Sequence, residues 1–516
     1  FALQEALDAG RPVPASAAHL DRSLPWVPSL DITLAFRMDA LAAFMSLIVL
    51  GVGALVLAYC ARYFREHEAK NAVFGGQLLA FAGAMFGLVT TDDLMVLYTF
   101  WEVTSVLSFL LIGYSGHRIF ARRSAITALI VTTVGGLAML AGLIMLAQMA
   151  GSWRISGVLA AAPGLLADDG GRVLLEVAVG LVLIGALTKS AQAPFHFWLP
   201  GAMAAPTPVS AYLHAAAMVK AGVFLVARLA PAFHELATWQ VLVLGLGLWT
   251  LMLGGWRALR QTDVKLVLAY GTVSQLGFLM VANGLGVRDA ALAGLAMLLA
   301  HALFKAPLFM VVGIIDHEAG TRDLRELSGI GRRHPVLAAV AVLAAASMAG
   351  LPPFFGFVAK EAVLQSLTDH GAAHGGLLAW APLVLMAAGS VLTVAYTWRF
   401  LWGAFATKRT PEGAPVPATR FHTRVTFLEL APAGLLALTG LVLAVLPGPL
   451  EHLLAAHTAT IPALDPAASP AHLALWHGWT PALAVSAAVW LLGALLALGR
   501  PGVEAFQRRL EFPVDA

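Results

Sequence analysis

The sequence predicts an all-α polytopic membrane protein with about thirteen transmembrane helices, and three observations lead to that fold class. Hydrophobic residues make up 59% of the 516-residue chain and charged residues only 12%, against about 25% charged residues in soluble domains. The apolar runs are continuous rather than alternating, which excludes a transmembrane β-barrel. The single cysteine, Cys60, excludes disulfides and cysteine-ligated clusters within the chain.

The elements follow from windows of about 20 apolar residues, taken in order along the chain. Residues 1–38 come first. They are polar and proline-rich, begin with Phe rather than Met, and are predicted to be an extracytoplasmic loop of a longer polypeptide. The predicted spans are 39–63, 72–91, 93–114, 124–149, 173–198, 205–230, 238–256, 264–285, 289–315, 335–368, 377–406, 425–448 and 475–498. The motif GLPPFFGF at 350–357 interrupts one of them.

The distribution of basic residues supports the order of these spans and orients them. Nineteen Lys and Arg residues fall in loops on the side that the first span reaches, and six fall in loops on the opposite side. Because cytoplasmic loops carry the excess of Lys and Arg, this asymmetry places the N-terminal loop outside. Three further basic residues near span ends are expected to snorkel to the interface: Arg228, Lys265 and Arg399.

More than half of the seven lysines lie in span interiors, where each costs roughly 2.5–3.5 kcal/mol on insertion. These four are Lys189, Lys220, Lys305 and Lys360. Unlike arginine, lysine loses its proton when it is desolvated. Glu102 lies about ten residues into its span, near mid-membrane, and is the candidate carboxylate beside such a lysine. The alternative is a structural ion pair, but one pair does not account for four interior lysines.

Three histidines add groups that titrate near neutral pH. His196 follows Lys189 by seven residues and is expected on the same helix face, whereas His214 precedes Lys220 by six residues. His301 lies one helical turn before a lysine in HALFKAPLF. A lone histidine is more often a satisfied core residue, but these three accompany lysines. Further ligands at short spacing are missing, so we predict no metal site.

Prolines interrupt the spans that carry three of the lysines. Pro194, Pro200, Pro206 and Pro208 fall near Lys189 and Lys220, and Pro352 and Pro353 precede Lys360. Broken helices at membrane depth are tolerated where protein or a water-filled cavity receives their free backbone groups. The two interrupted regions suggest an internal duplication, as in transporters with inverted-topology repeats. The alternative is that the prolines only kink packed helices.

Other polar residues extend this pattern. Hydroxyls and amides accompany the titratable groups, as proton hopping through side chains and water requires: Ser190, Gln192, Thr207, Ser210, Tyr212, Thr272, Ser274 and Gln275. Asp92 and Asp93 stand where a span ends. They either form a cation entrance or simply face water.

Five stretches carry a family resemblance, and they occur in the order TFWEVTSVLSFLLIGY, TKSAQAPFHFWLPGAMAAPTPVSAYLHAAAMVKAG, DVKLVLAYGTVSQLGFL, HALFKAPLF and GLPPFFGFVAKE. They resemble the antiporter-like family, which comprises the large proton-pumping membrane subunits of respiratory complex I and the large subunits of Mrp-type cation/proton antiporters. PFHFWLP, MVKAG and LPWVPSLDITLAF are most similar to the A-subunit branch of the Mrp antiporters. Two spans that precede Met38 in the family are missing from this chain.

The resemblance implies roles for individual residues. Glu102 and Lys189 correspond to the acid–lysine pair of a first half-channel, with His214 as the bridging residue next to that pair. His301 and Lys305 correspond to the central link, and Lys360 to the lysine of the second half-channel.

The resemblance also implies an organisation in five parts. These are the loop 1–38, N-terminal helices over 39–91, a first half-channel over 93–230, a second over 238–406, and C-terminal helices over 425–516 that run towards a lateral helix.

The resemblance implies a sodium/proton antiporter component in the bacterial cell membrane, with other membrane subunits as partners and no cofactor. It is a secondary transporter subunit rather than an enzyme. A proton-pumping subunit of a redox-driven, complex I-type machine is the second possibility. A subunit coupled to bicarbonate uptake and an inert membrane scaffold are further alternatives. A membrane enzyme fits least, because the sequence has no nucleophile–base set and no cofactor fingerprint.

Overall fold

The computed structural model describes residues 20–499 except 31, 65–68, 411 and 465–470, together with 502, 503, 505 and 507. The chain opens with an antiparallel hairpin of β1 (Leu20–Val27) and β2 (Ile32–Met38). The predicted loop over 1–38 is therefore a β-hairpin in its second half, and residues 1–19 lie outside the described residues. The β1 residues are nearly all exposed, so no alternating apolar pattern announces this strand.

Most of the rest of the described chain is helical. The first part contains α1 (Ala40–Tyr63), α2 (Ala69–Thr90), α3 (Leu94–Ile112), α4 (Ile119–Ala150), α5 (Ile155–Ala167), α6 (Arg172–Lys189), α7 (Trp198–Gly201), α8 (Thr207–Val209) and α9 (Lys220–Phe233). The second part contains α10 (Ala237–Trp239), α11 (Leu246–Ala258), α12 (Val264–Gly284), α13 (Arg288–Ala319), α14 (Ile330–Arg333), α15 (Pro335–Ala349), α16 (Phe355–His374), α17 (Gly376–Phe405), α18 (Phe427–Val445), α19 (Gly448–Thr458) and α20 (Pro481–Leu498).

Ten helical segments of the described chain are long and apolar enough to cross a membrane. They are α1, α2, α3, α4, the joined segment of α10 and α11, α12, α13, α17, α18 and α20. The other three predicted spans fall on interrupted helices, so the expected thirteen crossings are compatible with the structure. The predicted break between 91 and 93 is confirmed, because α2 ends at Thr90 and α3 begins at Leu94.

The three interrupted spans break where the prolines and glycines predict. In the first, α6 ends at Lys189 and short turns continue through α7. In the second, α8 runs into a π-turn over Ser210–His214 before α9 begins at Lys220. In the third, α15 ends at Ala349 and is capped by Gly350, which has a left-handed φ of +74°, and α16 begins after the two prolines.

Contacts between loops show which helix ends share a side. On the side where α1 begins, the first face, Asp39 binds Arg228 and the Asp92 backbone binds the Ala35 carbonyl. On the side where α1 ends, the second face, Arg322 binds Asp263. The alternation that the basic residues predicted therefore holds for these loops.

Helices α12 and α13 form the centre of the molecule. In their most apolar windows, 89% of α12 and 94% of α13 is buried inside the protein, against 22% of α20. His301 and Lys305 lie on α13, and Lys220 binds to it.

Candidate functional site

The first helix break is held by polar contacts to neighbouring helices. The Ser190 hydroxyl donates to the Val219 carbonyl at 2.7 Å, and the Ala193 amide donates to the Thr250 hydroxyl at 2.9 Å. Pro194 has no amide hydrogen to continue the helix. These bonds satisfy backbone groups that leave the helix, so α6 can end at Lys189 deep inside the protein.

Lys189 is fully buried at this break. Its Nζ donates to the Trp101 carbonyl at 2.5 Å and to the Ser105 hydroxyl at 2.9 Å, and it lies 4.7 Å from the centroid of the Trp101 ring. All three contacts come from α3. The lysine therefore joins the end of α6 to the middle of the neighbouring helix.

Glu102 follows Trp101 in α3 but faces another neighbour, α4. Its Oε2 accepts a bond of 3.2 Å from the Thr133 hydroxyl, and its buried Oε1 has no hydrogen-bond partner among the described residues. The expected ion pair with Lys189 is not among the ion pairs of the described residues. Successive helical residues point about 100° apart, so Trp101 and Glu102 face different helices. The two charges still interact through space.

A tryptophan connects this region to the second break. The Trp198 indole donates to the Thr188 carbonyl at 2.9 Å, and its ring centroid lies 6.2 Å from that of His214. His214 ends the π-turn and is fully buried, and neither of its ring nitrogens has a hydrogen-bond partner among the described residues. His214 is therefore a titratable ring without a hydrogen-bond partner in the described structure, and it lies beside the end of α6.

Lys220 begins α9 after the second break and is also fully buried. Its Nζ donates to the Leu298 carbonyl of α13 at 3.0 Å. His301 lies on α13, one turn beyond Leu298. Like His214, His301 is fully buried, and neither of its ring nitrogens makes a hydrogen bond of normal geometry in the described structure, although the ring lies near the Ala215 backbone.

Lys305 follows His301 by one turn of α13, as the sequence predicted, and is fully buried. Its Nζ donates to the Leu268 carbonyl of α12 at 3.2 Å and lies 5.8 Å from the Tyr396 ring centroid. His301 is within electrostatic range of both Lys220 and Lys305. The central histidine is thus flanked by lysines on two sides.

A polar cluster continues from Lys305. The Gln275 amide donates to Thr393 at 3.0 Å and to the Tyr396 hydroxyl at 3.4 Å, and that hydroxyl donates to the Gly271 carbonyl at 3.4 Å. A Cβ on Gly271 would lie 3.1 Å from the Lys305 Nζ. Lys305 therefore lies between the backbone of α12 and the Tyr396 ring of α17.

Lys360 occupies the third break and is 3% exposed. Its Nζ donates to the Met348 and Ala349 carbonyls at 3.4 Å each, so it binds the last turn of α15. Its helix, α16, packs against α13, which carries Lys305. The helix of Lys360 therefore contacts the helix of Lys305, whereas the hydrogen bonds of Lys360 stay within its own broken span.

Three predicted site residues lie apart from the buried lysines and histidines described above. His196 is half-buried beyond the end of α6, within electrostatic range of Arg257. The expectation that it shares a helix face with Lys189 is wrong, because the helix ends at Lys189. Asp92 and Asp93 also lie apart, on the first face.

The two aspartates act as helix caps. Asp93 accepts bonds from the Met95 and Val96 amides at the start of α3. Asp92 accepts bonds from the Ser156 amide at 2.9 Å and hydroxyl at 2.6 Å at the start of α5. Both are buried, so the expectation that they simply face water is wrong. Burial raises the pKa of the Asp93 carboxyl.

Several buried charged residues were not predicted as site residues, and two of them lie near the helix breaks. Lys265 is 1% exposed and donates to the Ala205 carbonyl at 2.7 Å, so the expectation that it snorkels to the interface is wrong. Glu361 is 5% exposed and accepts bonds from Ser486 at 2.5 Å and Thr480 at 3.3 Å. The only sequence signal for Glu361 was its position beside Lys360. In the described part of the chain, no group of three His, Cys, Asp or Glu residues is arranged to hold a metal.

Known proteins match nearly all of the chain. Residues 91–387 match the family described as "NADH:quinone oxidoreductase/Mrp antiporter, TM", and residues 25–74 match "NADH-Ubiquinone oxidoreductase (complex I), chain 5 N-terminus". The chain is 39% identical over 500 residues to the A subunit of a Na(+)/H(+) antiporter from Alkalihalophilus pseudofirmus, covering 93% of this chain and 61% of that protein. It is 42% identical over 479 residues to the A/B subunit of a probable K(+)/H(+) antiporter from Rhizobium meliloti, covering 92% and 46%.

Solved structures give the same picture. One chain of the Mrp complex from Dietzia sp. DQ12-45-1b superposes with a TM-score of 0.86 at 37% identity, over 100% of this chain and 53% of that one. A chain of an archaeal membrane-bound sulfane sulfur reductase shares the fold, with a TM-score of 0.72 at 22% identity over 90% and 89%. The chain spans about half the length of the antiporter proteins it matches, between 46% and 61% for the two relatives from Rhizobium and Alkalihalophilus.

Proposed function

The chain belongs to the family of NADH:quinone oxidoreductase and Mrp antiporter membrane subunits, and on that premise we propose that it moves protons in a multisubunit sodium/proton antiporter. Protons travel along a mid-membrane row of lysines and histidines, and their movement drives sodium the other way. The chain acts as a secondary transporter subunit, together with other membrane subunits. The row comprises Glu102, Lys189, His214, Lys220, His301, Lys305 and Lys360.

One observation carries this proposal: the four interior lysines bind backbone carbonyls. Each Nζ donates to at least one carbonyl oxygen, those of Trp101, Leu298, Leu268, Met348 and Ala349. None of the four forms an ion pair in the described residues. A carbonyl accepts a hydrogen bond from a neutral amine as well as from an ammonium. Each lysine can therefore lose its proton without losing that contact, which a structural ion pair does not allow.

The histidines supply the steps between lysines. His214 and His301 are buried, with ring nitrogens that have no partner among the described residues, and a buried polar atom without a protein partner is normally bonded to water. A neutral imidazole accepts a proton at one nitrogen and donates one from the other. Protons therefore pass from lysine to histidine through bound water. Each passage leaves the ring neutral but in its other tautomer, and a turn of the ring or proton exchange through water restores the first tautomer.

Glu102 controls the first lysine through space. Its charge favours the protonated form of Lys189, and its unbonded Oε1 allows the carboxylate to change position. When the carboxylate approaches, Lys189 holds its proton. When it withdraws, the proton moves on towards His214. Glu102 and Lys189 together thus form the gate of the first half-channel.

The proposal also includes the exchanged ion, the orientation of the chain in the membrane and its division into parts. One relative is named for sodium and another for potassium, and we propose sodium as the ion exchanged here. The first face lies outside the cell, so the N-terminal hairpin is extracytoplasmic. The five-part organisation, with half-channels over 93–230 and 238–406, stays part of this proposal. His196, near the second face, is a candidate for the ion entrance.

The test is cation-driven proton flux in everted membrane vesicles. The complete polypeptide is expressed with its partner subunits in cells that lack their own antiporters, and a fluorescent pH probe reports the response to added sodium or potassium. We expect Lys189→Ala and Glu102→Ala to abolish the flux while the complex still assembles. Full flux in Lys189→Ala would contradict the proposal. Proton movement that needs quinone reduction but neither cation would instead favour a redox-driven complex.

A further inference from the structure

Lys265 is a buried lysine that the proposed row does not use. It lies in the first turn of α12, at the second face, where Asp263 caps the helix by accepting from the Lys265 amide at 2.8 Å. The Lys265 side chain turns inward, where its Nζ donates to the Ala205 carbonyl at 2.7 Å. Ala205 lies just before α8, the first part of the broken helix that contains His214. The lysine therefore binds the base of the second break.

A charged cluster connects Lys265 to the second face. Arg322 lies 3.0 Å from Asp263 and 3.9 Å from Asp316. The side chains of Asp263 and Asp316 are 24% and 32% exposed, and that of Arg322 is 36% exposed. All three are within electrostatic range of Lys265. Water-accessible carboxylates thus stand on the outer side of this buried lysine.

On its inner side, Lys265 binds Ala205, in the broken segment that carries His214. His214 is within electrostatic range of Lys265, is fully buried, and has two unpartnered ring nitrogens in the described structure. The charged and titratable groups around Lys265 are therefore Asp263, Asp316 and Arg322 towards the face, and His214 towards the interior. A buried amine between exposed carboxylates and an unengaged imidazole is placed to carry protons between them.

We propose that Lys265 is the residue through which protons pass between the second face and His214. The neutral amine takes a proton from water beside the Asp263–Asp316 cluster and becomes an ammonium. It then gives one proton to an unprotonated nitrogen of His214 and returns to the amine. The bond to the Ala205 carbonyl persists through both forms, because both carry N–H donors. This inference rests on the proposed function, since it assigns an entry point to the same row.

The test compares two replacements of Lys265 in the complete complex in everted vesicles. Lys265→Arg keeps the positive charge and a donor for the Ala205 carbonyl but does not release its proton. Lys265→Gln keeps a donor and removes the charge. We expect each to lower cation-driven proton flux at least tenfold at wild-type levels of assembled complex. Wild-type flux in Lys265→Arg would overturn the inference, because a purely structural lysine is replaced by arginine without loss. If the complex with Lys265→Arg does not assemble, the flux of the Lys265→Gln complex is measured instead, and wild-type flux in it would overturn the inference.

Lys408→Arg is the matched control. Lys408 also donates to backbone carbonyls near the second face, those of Leu324 and Leu327, which are not part of the row. Its arginine variant is expected to keep wild-type flux. Lys189→Ala separates the two proposals. If Lys189→Ala abolishes flux and Lys265→Arg keeps it, only the entry residue is wrong. If Lys189→Ala keeps full flux, the proposed function fails.

Discussion

Two helix breaks in this protein each place a lysine at the end of a half-helix, but they hold the amine differently. At the first break, Lys189 is the last residue of α6 and reaches across to α3 for its partners. At the third break, Lys360 belongs to the second fragment, α16, and reaches back to the last carbonyls of α15. Both amines thus lie at the C-terminal end of a half-helix, where the helix dipole favours positive charge.

The carboxylates beside the two lysines differ as well. Glu102 has one oxygen bonded to Thr133 and one that is buried without a partner among the described residues. Glu361 has both oxygens bonded, to Ser486 and Thr480. At the first site the lysine binds a neighbouring helix and the carboxylate has one free oxygen, whereas at the second the lysine binds its own broken helix and both carboxylate oxygens are bonded at α20. The difference suggests that the first break acts as the gate and the third as a fixed relay.

The largest expected effect separates the two carboxylates. Glu102→Gln removes the charge that acts on Lys189, and we expect cation-driven flux to fall on the order of 100-fold, near the upper end of typical coupling between sites. Glu361→Gln keeps an acceptor for the Ser486 hydroxyl and has no unbonded oxygen to lose. It should change flux by less than about threefold, below the typical range of coupling between sites. Equal losses in the two variants would break the distinction between gate and relay.

A smaller effect tests whether the position of Glu102 matters. A Cβ at Gly136 would lie 2.0 Å from Glu102 Oε1, so Gly136→Ala must displace the carboxylate. We expect about a tenfold loss of flux, in the middle of the coupling range, with normal assembly of the complex. Gly83 in α2 has open space around its Cβ position, and Gly83→Ala is the control. A Gly136→Ala complex as active as the control would show that the carboxylate position is unimportant.

The smallest effect concerns the anchor of the first lysine. Ser105→Ala removes one of the two acceptors of Lys189 and leaves the Trp101 carbonyl in place. A hydrogen bond to a charged group contributes about 1.5–3 kcal/mol to stability. We expect a loss of stability near the lower end of that range, because one acceptor of Lys189 remains. Thermal unfolding of the purified complex should show a modest loss of stability, and flux should change a few-fold. Unchanged stability would mean that Ser105 does not hold the lysine.

The sequence was sufficient for the long spans, the breaks and four of the five buried lysines in the described chain, all but Lys265. Each of these depends on local properties: an apolar window of bilayer length, a proline without an amide hydrogen, or a lysine too costly to bury by accident. The error at His196 came from extending a helix across Pro194. The caps at Asp92 and Asp93 were predictable in principle, because aspartate before a helix is a common N-cap.

The partners of the lysines were not predictable from the sequence. Lys189 binds a carbonyl 88 positions away, and Lys220 one 78 positions away. Every residue has a carbonyl, so no side-chain pattern marks the one that is used. The same applies to Lys265 and the Ala205 carbonyl, which only the packing of α12 against the second break reveals. The β-hairpin was missed because β1 is exposed on both of its faces.

The most direct test of proton transfer through buried amines is the flux of the Lys189→Arg variant in everted vesicles. Arginine retains the charge at the first break but holds its proton at any physiological pH. If the amine must release and regain a proton, sodium-driven proton flux disappears although the complex assembles and the charge remains. Wild-type flux in Lys189→Arg would show that a fixed positive charge is sufficient there, and that protons take another route.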